Sequence, residues 1–327
     1  MSLRKPSWTV ALVMACAVGW MGCKPRYDHG WTRGPELPQP LQEVTAAVLH
    51  DRIYIAGGID AGPAISTAVY RIDPVSARWE RAANLPDGRH HMPLTVVGDS
   101  LYAVGGLGPT GMNAAATLWL YDERNDRWLS RAPLPEPRGA SAVGVMDGRI
   151  FVVGGFGSSQ RLLDSIAIYQ PATDQWRHGA PIPTPRDHLA AAVIKGKLYA
   201  AGGRPLDPGR NFNVLEAYDP ATDSWSRRSP MPTARGGLAA AALDNRMYTY
   251  GGETNRSVFA QQEVYDVTTD GWSSAPRLPT PRHGLAAAAH GDRIYVIGGG
   301  PHAGLAQTDV VEIYAPDGLG RRSSDHQ

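Results

Sequence analysis

The sequence predicts an all-β fold, a six-bladed β-propeller with four-stranded blades whose ring is closed by the N-terminal strand joining the last blade. Three periodicities predict it. A short β-branched and aromatic run ending in Gly-Gly occurs six times, as RIYIAGG, SLYAVGG, RIFVVGG, KLYAAGG, RMYTYGG and RIYVIGG. The first glycines are Gly57, Gly105, Gly154, Gly202, Gly251 and Gly298, giving steps of 48, 49, 48, 49 and 47 residues. Six tryptophans, Trp31, Trp79, Trp128, Trp176, Trp225 and Trp272, each stand 26 residues before one of those glycines. Tyr121, Tyr169, Tyr218 and Tyr265 lead the next Trp by seven residues, with Ile72 in that place before Trp79. A unit of this length cannot cover both faces of its own sheet, so the copies must pack on one another.

In chain order, Met1 to Cys23 reads as an export signal. Arg4 and Lys5 supply the basic start, and Pro6 to Gly22 is uncharged and largely apolar. Its end, Trp20-Met21-Gly22-Cys23, is similar to a bacterial lipobox, with lipidation expected at Cys23. Val13-Met14-Ala15-Cys16 is a second candidate; Cys23 is preferred because the apolar run continues past Cys16 and polar sequence begins after Cys23. Residues 24–30 form a linker, 31–316 the propeller and 317–327 a polar tail. Within each unit, strand a is small and apolar, as in SAVGVMD from Ser141. A tight turn follows, built from residues that tolerate positive φ (DGR at Asp147, KGK at Lys195, DNR at Asp244, GDR at Gly291). Strand b runs into Gly-Gly, strand c carries the aromatic, and strand d starts at Trp. The chain opens on a strand d, WTRGPELP, and finishes with a, b and c near Tyr314. The two ends must therefore share the last blade.

Gly-Gly after a hydrophobic strand, then Tyr, then Trp at fixed spacing resembles the kelch repeat. The match runs from Trp31 to about Pro316 in six coincident copies. The resemblance implies a scaffold that presents loops to a protein or ligand, with no cofactor and as a monomer. It also implies a runner-up activity, because exported bacterial six-bladed kelch proteins include sialic-acid mutarotases. Copper oxidases resembling galactose oxidase fit poorly, since the only cysteines are Cys16 and Cys23. Sialidase Asp-boxes do not occur.

Composition narrows the function classes. The net charge is +1 from 32 basic and 31 acidic residues, which lacks the basic excess of a nucleic-acid binder. With both cysteines in the first 23 residues, neither a disulfide framework nor a cysteine metal cage is available to the body. The doublets lack the Gly-Lys-Ser/Thr and helix of a phosphate loop. Membrane attachment is expected only through the N-terminal lipid, and the location is the cell envelope, periplasmic or outer.

Length variation falls only between Gly-Gly and strand c, so the b–c and d–a loops make the individual face of the disc. Five d–a loops carry Arg 16 residues before the doublet, Arg89, Arg138, Arg186, Arg235 and Arg282, with Leu41 in that place in the first unit. His90, His91, His188 and His283 follow, and the b–c loops add Arg210, Glu253 and Arg256 among others. Such a face suits an acidic ligand or an acidic peptide loop. The opposing interpretation is that an Arg repeated in most units holds backbone carbonyls within the blade. The histidines have no metal-ligand spacing, so no metal and no catalytic set is expected. A mutarotase would need a carboxylate or imidazole beside an Arg, with Glu253, Asp187 and His188 as candidates.

Overall fold

The computed structural model describes residues 29–62, 65–110 and 112–316. The signal segment 1–23 with Cys16 and Cys23, most of the 24–30 linker and the 317–327 tail lie outside the described residues. Twenty-four strands form six four-stranded antiparallel sheets. Blade 1 runs from Thr45 to Ala82, blade 2 from Leu94 to Ser130 and blade 3 from Ala142 to Gly179. Blade 4 covers Ala190–Arg227 and blade 5 Ala239–Ala275. In blade 6 the strands Ala286–His290, Arg293–Ile297 and Val311–Tyr314 are completed by Trp31–Arg33. Trp31 stands opposite Tyr314 and Arg33 opposite Glu312, so the ends of the propeller close the ring as the motif order predicts.

Local chemistry sets each blade. The a–b turns are two-residue hairpins; four have positive φ at both centres, as at Asp147 (48°) and Gly148 (70°), and two have it at the first centre, Gly98 and Gly291, both patterns matching the right-handed twist of the strands they join. Strand b is the most buried, because it is covered on both faces by neighbouring blades. The aromatic columns do this covering: Tyr54 packs on Tyr121, Tyr102 on Tyr169, Phe151 on Tyr218 and Tyr199 on Tyr265. Helical structure among the described residues is limited to two 3₁₀ turns, Glu123–Asn125 and Ser158–Gln160.

The tryptophan column ties the blades together. Each indole N–H donates to a backbone carbonyl of the preceding blade: Trp128 to Ala83, Trp176 to Ala132, Trp225 to Ala180, Trp272 to Ser229, Trp79 to Pro35 and Trp31 to Pro276. Fixed Trp-to-glycine spacing follows, since both ends of the interval are latched to neighbours.

Candidate functional site

The d–a loops and the bends after strand b lie on one face, paired by isolated bridges such as Asp187–Arg204 and His283–Gly300. Here the repeated arginine is a rivet between blades. Its backbone carbonyl accepts from the second glycine of the preceding doublet, as Arg186 does from Gly155 at 2.8 Å and Arg235 from Gly203 at 2.8 Å. Its side chain enters the following blade. Both glycines of the doublet have positive φ, and a Cβ on Gly154 would stand 2.6 Å from the Arg186 carbonyl oxygen, so only glycine permits the latch.

The cationic surface expected from Arg89, Arg138, Arg186, Arg235 and Arg282 is therefore corrected. All five are buried, four of them to 1% exposure or less. Arg186, Arg235 and Arg282 form buried ion pairs with Glu216, Glu263 and Glu312 at 2.6, 2.8 and 2.6 Å. Arg89 lies over the Trp119 ring, and Arg138 donates to the carbonyls of Gly154 and Ser165. Burial pushes Arg138 down to about 10, against the pull of Glu136 and Asp164. Charges this deep are committed to the scaffold. The Glu partners were legible in principle, since Glu216, Glu263 and Glu312 each precede a column tyrosine by two residues.

Two residues beyond the arginine lies the column that lines the axial channel. Glu43, His91, Ala140, His188, Gly237 and Gly284 occupy this column in the six loops and encircle the axis. A closed chain of backbone bonds joins them: His91 N–H to Glu43, Ala140 to His91, His188 to Ala140, Gly237 to His188, Gly284 to Gly237, and Val44 back to Gly284. All six have φ between 50° and 66°. For the four non-glycine residues that backbone costs about 1–2 kcal/mol each.

The side chains of this column converge at the channel mouth. His91 Nε2 lies 3.0 Å from Glu43 Oε2 and 2.9 Å from His188 Nε2. His188 Nδ1 is 2.7 Å from Asp187 Oδ2, and His91 Nδ1 is 2.6 Å from His90 Nδ1. Arg204 reaches His188 Nε2 and Glu253 Oε1, each at 2.8 Å. His283 Nδ1 stands 3.5 Å from Glu43 and 3.4 Å from Glu253. Burial works to raise the Glu43 carboxyl, but His91, His283 and His188 outweigh it and hold it well below the ordinary range. Burial drives His91 well below the usual imidazole value despite Glu43. At His283 burial opposes protonation, yet Glu43 and Glu253 raise its pKa. The surroundings thus favour the carboxylate form at Glu43 and the protonated ring at His283, while burial disfavours the protonated ring at His91.

This network also fixes three b–c loops. Leu206 N–H donates to Asp187, Asn211 Nδ2 to the Glu253 carbonyl, and Gly304 N–H to Glu253 Oε2. Of the sequence candidates, His91, His188, His283 and Glu253 thus meet in one cluster, while Arg210 and Arg256 are exposed on the loops outside it. Glu43 was missed. Its signal was its column, shared with His91 and His188 at steps of 48 and 97 residues. Beneath the cluster the channel encloses about 220 Å³, walled by Ala46, Val143, Ala191, Ala240 and Ala287.

A ring of four-stranded sheets riveted by Gly-Gly, Tyr and Trp columns defines a kelch-type propeller. The profile of the KLHDC2/KLHL20/DRC7 Kelch-repeats domain matches residues 29–180 and 134–299, and the chain belongs to the kelch-repeat family. Human Kelch-like protein 34 is 30% identical over 111 residues, 31% of this chain and 17% of that protein. Beta-scruin of Limulus polyphemus is 28% identical over 108 residues, 32% of this chain and 12% of that protein. The matched stretches are thus under a fifth of these relatives' length. A solved structure titled "Structure of YjhT" superposes with a TM-score of 0.75 at 19% identity, covering 87% of this chain and 98% of the other. At that identity the likeness shows the fold.

Proposed function

We propose that the chain is a non-catalytic kelch-repeat binding protein of the bacterial cell envelope, anchored through a lipid on Cys23, that takes a protein partner on its b–c and d–a loop face. One observation carries this reading: the buried network holds the loops of blades 4, 5 and 6 rigidly while they present apolar and cationic tips. Leu305 is 79% exposed and Leu206 38%, with Arg210 and Arg256 exposed on the same face. Isolated exposed leucines on pre-ordered loops lower the ordering cost of association. The cavity favours a protein over a small molecule as ligand, because about 220 Å³ falls below the roughly 300–1,000 Å³ of small-molecule sites. The test is crosslinking in envelope extracts with wild type, Leu206→Asp/Leu305→Asp and Cys23→Ser. The reading expects a defined partner lost in the leucine variant and membrane association lost in Cys23→Ser. A crosslinking pattern indifferent to both leucines rejects the face, and unchanged fractionation of Cys23→Ser rejects the anchor.

A second reading, a sugar-acid mutarotase of the sialic-acid kind, is favoured by one specific contact set. Arg204 bonds both Glu253 and His188, the carboxylate and imidazole that such proton transfer needs beside a guanidinium. Anomer exchange of sialic acid followed by NMR, with Glu253→Gln as control, decides it. Exchange no faster than in buffer eliminates this reading.

A further inference from the structure

We propose that Glu43, His91 and His188 form a binding site for one divalent transition-metal ion of the zinc type at the mouth of the axial channel. Their ligand atoms, one carboxylate oxygen and two imidazole nitrogens, all lie within 4.8 Å of one another. Two imidazoles and a carboxylate are a donor set that zinc and its first-row neighbours take, leaving a position for water. With metal–nitrogen bonds of about 2.0–2.1 Å, tetrahedral ligands stand roughly 3.4 Å apart. The separations of 3.0 and 2.9 Å need to open by only a few tenths of an ångström, while Glu43 and His188, within 4.8 Å of one another, need to close.

Three independent features of the surroundings fit a cation. The outer contacts are those of metal-bound histidines: Asp187 Oδ2 takes the Nδ1–H of His188 at 2.7 Å, which leaves the Nε2 lone pair facing the centre. His91 Nδ1 is likewise engaged by His90. The acidic side chains come next. The carboxyl groups of Glu43, Asp187 and Glu253 gather in this buried cluster around a single guanidinium, that of Arg204, so acids outnumber arginine at the site. The third feature is steric. A Cβ at Gly284 would collide with the Glu43 carboxylate, so the column is cleared on the side where that carboxylate lies.

Arg204 stands most directly in the way, with Nη2 at 2.8 Å from His188 Nε2. Ion entry requires Nη2 to withdraw, while Nη1 keeps its bond to Glu253. All three ligands line the axial cavity, which supplies room for the ion and its water. His50 offers a contrast on the surface. Its two nitrogens face different carboxylates, Glu123 at 2.8 Å and Asp99 at 3.2 Å, so they cannot converge on one ion.

The experiment uses the full folded chain, stripped with chelator and titrated with Co²⁺ and then Zn²⁺. The expected result is one Co²⁺ per chain with visible absorption bands of a low-coordinate nitrogen–oxygen site, bleached by Zn²⁺. Glu43→Gln and His91→Ala should each weaken binding more than tenfold, Asp187→Asn about 10–100-fold as an outer-contact change, and His50→Ala not at all. A wild-type chain with no cobalt spectrum overturns the proposal without reference to any variant. So does a spectrum that persists in a Glu43→Gln protein whose thermal melt matches wild type. Loss of the spectrum in His50→Ala but not in Glu43→Gln would move the ion to the surface and overturn it too.

Discussion

The four joints among blades 1 to 5 and the two joints flanking blade 6 are built from the same columns but clamped differently. In the four, the residue two places before Trp is an aspartate: Asp126, Asp174, Asp223 and Asp270. Its Oδ1 accepts the tyrosine hydroxyl of its own blade at 2.5 Å and a backbone N–H of the preceding blade at 2.7–3.0 Å. The donors are Ala83, Ala132, Ala180 and Ser229, each four residues beyond a Trp. At the flanking joints that position holds Pro35 and Pro276, which have no N–H, and the aspartate is replaced by Ala77 and His29. Donor and acceptor have been lost together, twice. Those joints keep the glycine latches common to all six, Gly252 N–H to Arg282 and Gly299 N–H to Leu41, with the indole bond at 3.1 Å in both and the packing of Trp31 between Tyr250 and Tyr314. The closing blade is held by burial and strand pairing, whereas the others add a charged clamp.

The largest effect should come from removing the strand on which the unclamped joints depend. Deleting residues 31–38 takes away Trp31 and Leu37, at 1% and 4% exposure, and leaves the Val311–Tyr314 strand paired on its inner side alone, with Arg293–Ile297. Burial of a Trp alone contributes about 3–5 kcal/mol, much of the 5–15 kcal/mol that holds a domain. The truncated chain is expected to show no cooperative unfolding transition by circular dichroism. A melt like that of the full chain would mean that the ring does not close through this strand.

Fold and closure were legible because they are written in columns, and a column needs only counting. Arg186 and Arg235 were not legible as scaffold on their own, because a guanidinium after Pro-Thr-Pro or Pro-Thr-Ala looks the same whether it points outward or into a blade. The Glu216 and Glu263 partners decide it, 30 and 28 residues downstream. The channel cluster was harder still. His91 and His188 are 97 residues apart yet their rings are 4.7 Å from centre to centre, since a ring brings equal columns of non-adjacent blades to one axis. Linear metal-ligand spacing describes a hairpin or a helix turn, and it has no meaning across a propeller.

An intermediate effect is expected from acid. The four clamp aspartates are depressed below their ordinary value first by the tyrosine hydroxyl and then by the backbone N–H. A carboxylate depressed in the folded chain adds stability that is complete above the unfolded value, about 3.9, and is lost as pH falls through the folded one. Melting temperature should therefore fall as pH drops below about 4. These side chains are largely solvent-exposed, so each contributes modestly. Asp174→Asn keeps both acceptor bonds without the charge, and its melting temperature should lie below wild type at neutral pH and converge with it in acid. Parallel curves at every pH would mean that the clamp is not electrostatic.

The smallest effect is the most specific. If the clamp is absent at the joint between blades 6 and 1 only because Pro35 cannot donate, then restoring both halves should restore it. Ala77 has φ of 56°, close to the 46° of Asp126, so an aspartate there already has the right backbone. Ala77→Asp alone adds a carboxylate with no N–H to accept, and Pro35→Ala alone frees an N–H with no acceptor. Proline also restricts the unfolded chain, but that contribution is common to the single and double variants and cancels in the cycle. The double variant should thus exceed the sum of the singles by about 0.5–1.5 kcal/mol in chemical denaturation, the worth of one net hydrogen bond. Ile72 supplies no hydroxyl in place of Tyr121, so the coupling should be weaker than that between Asp126 and the Ala83 N–H. Strict additivity would show that the geometry of this joint, and not its missing donor, keeps blade 6 unclamped.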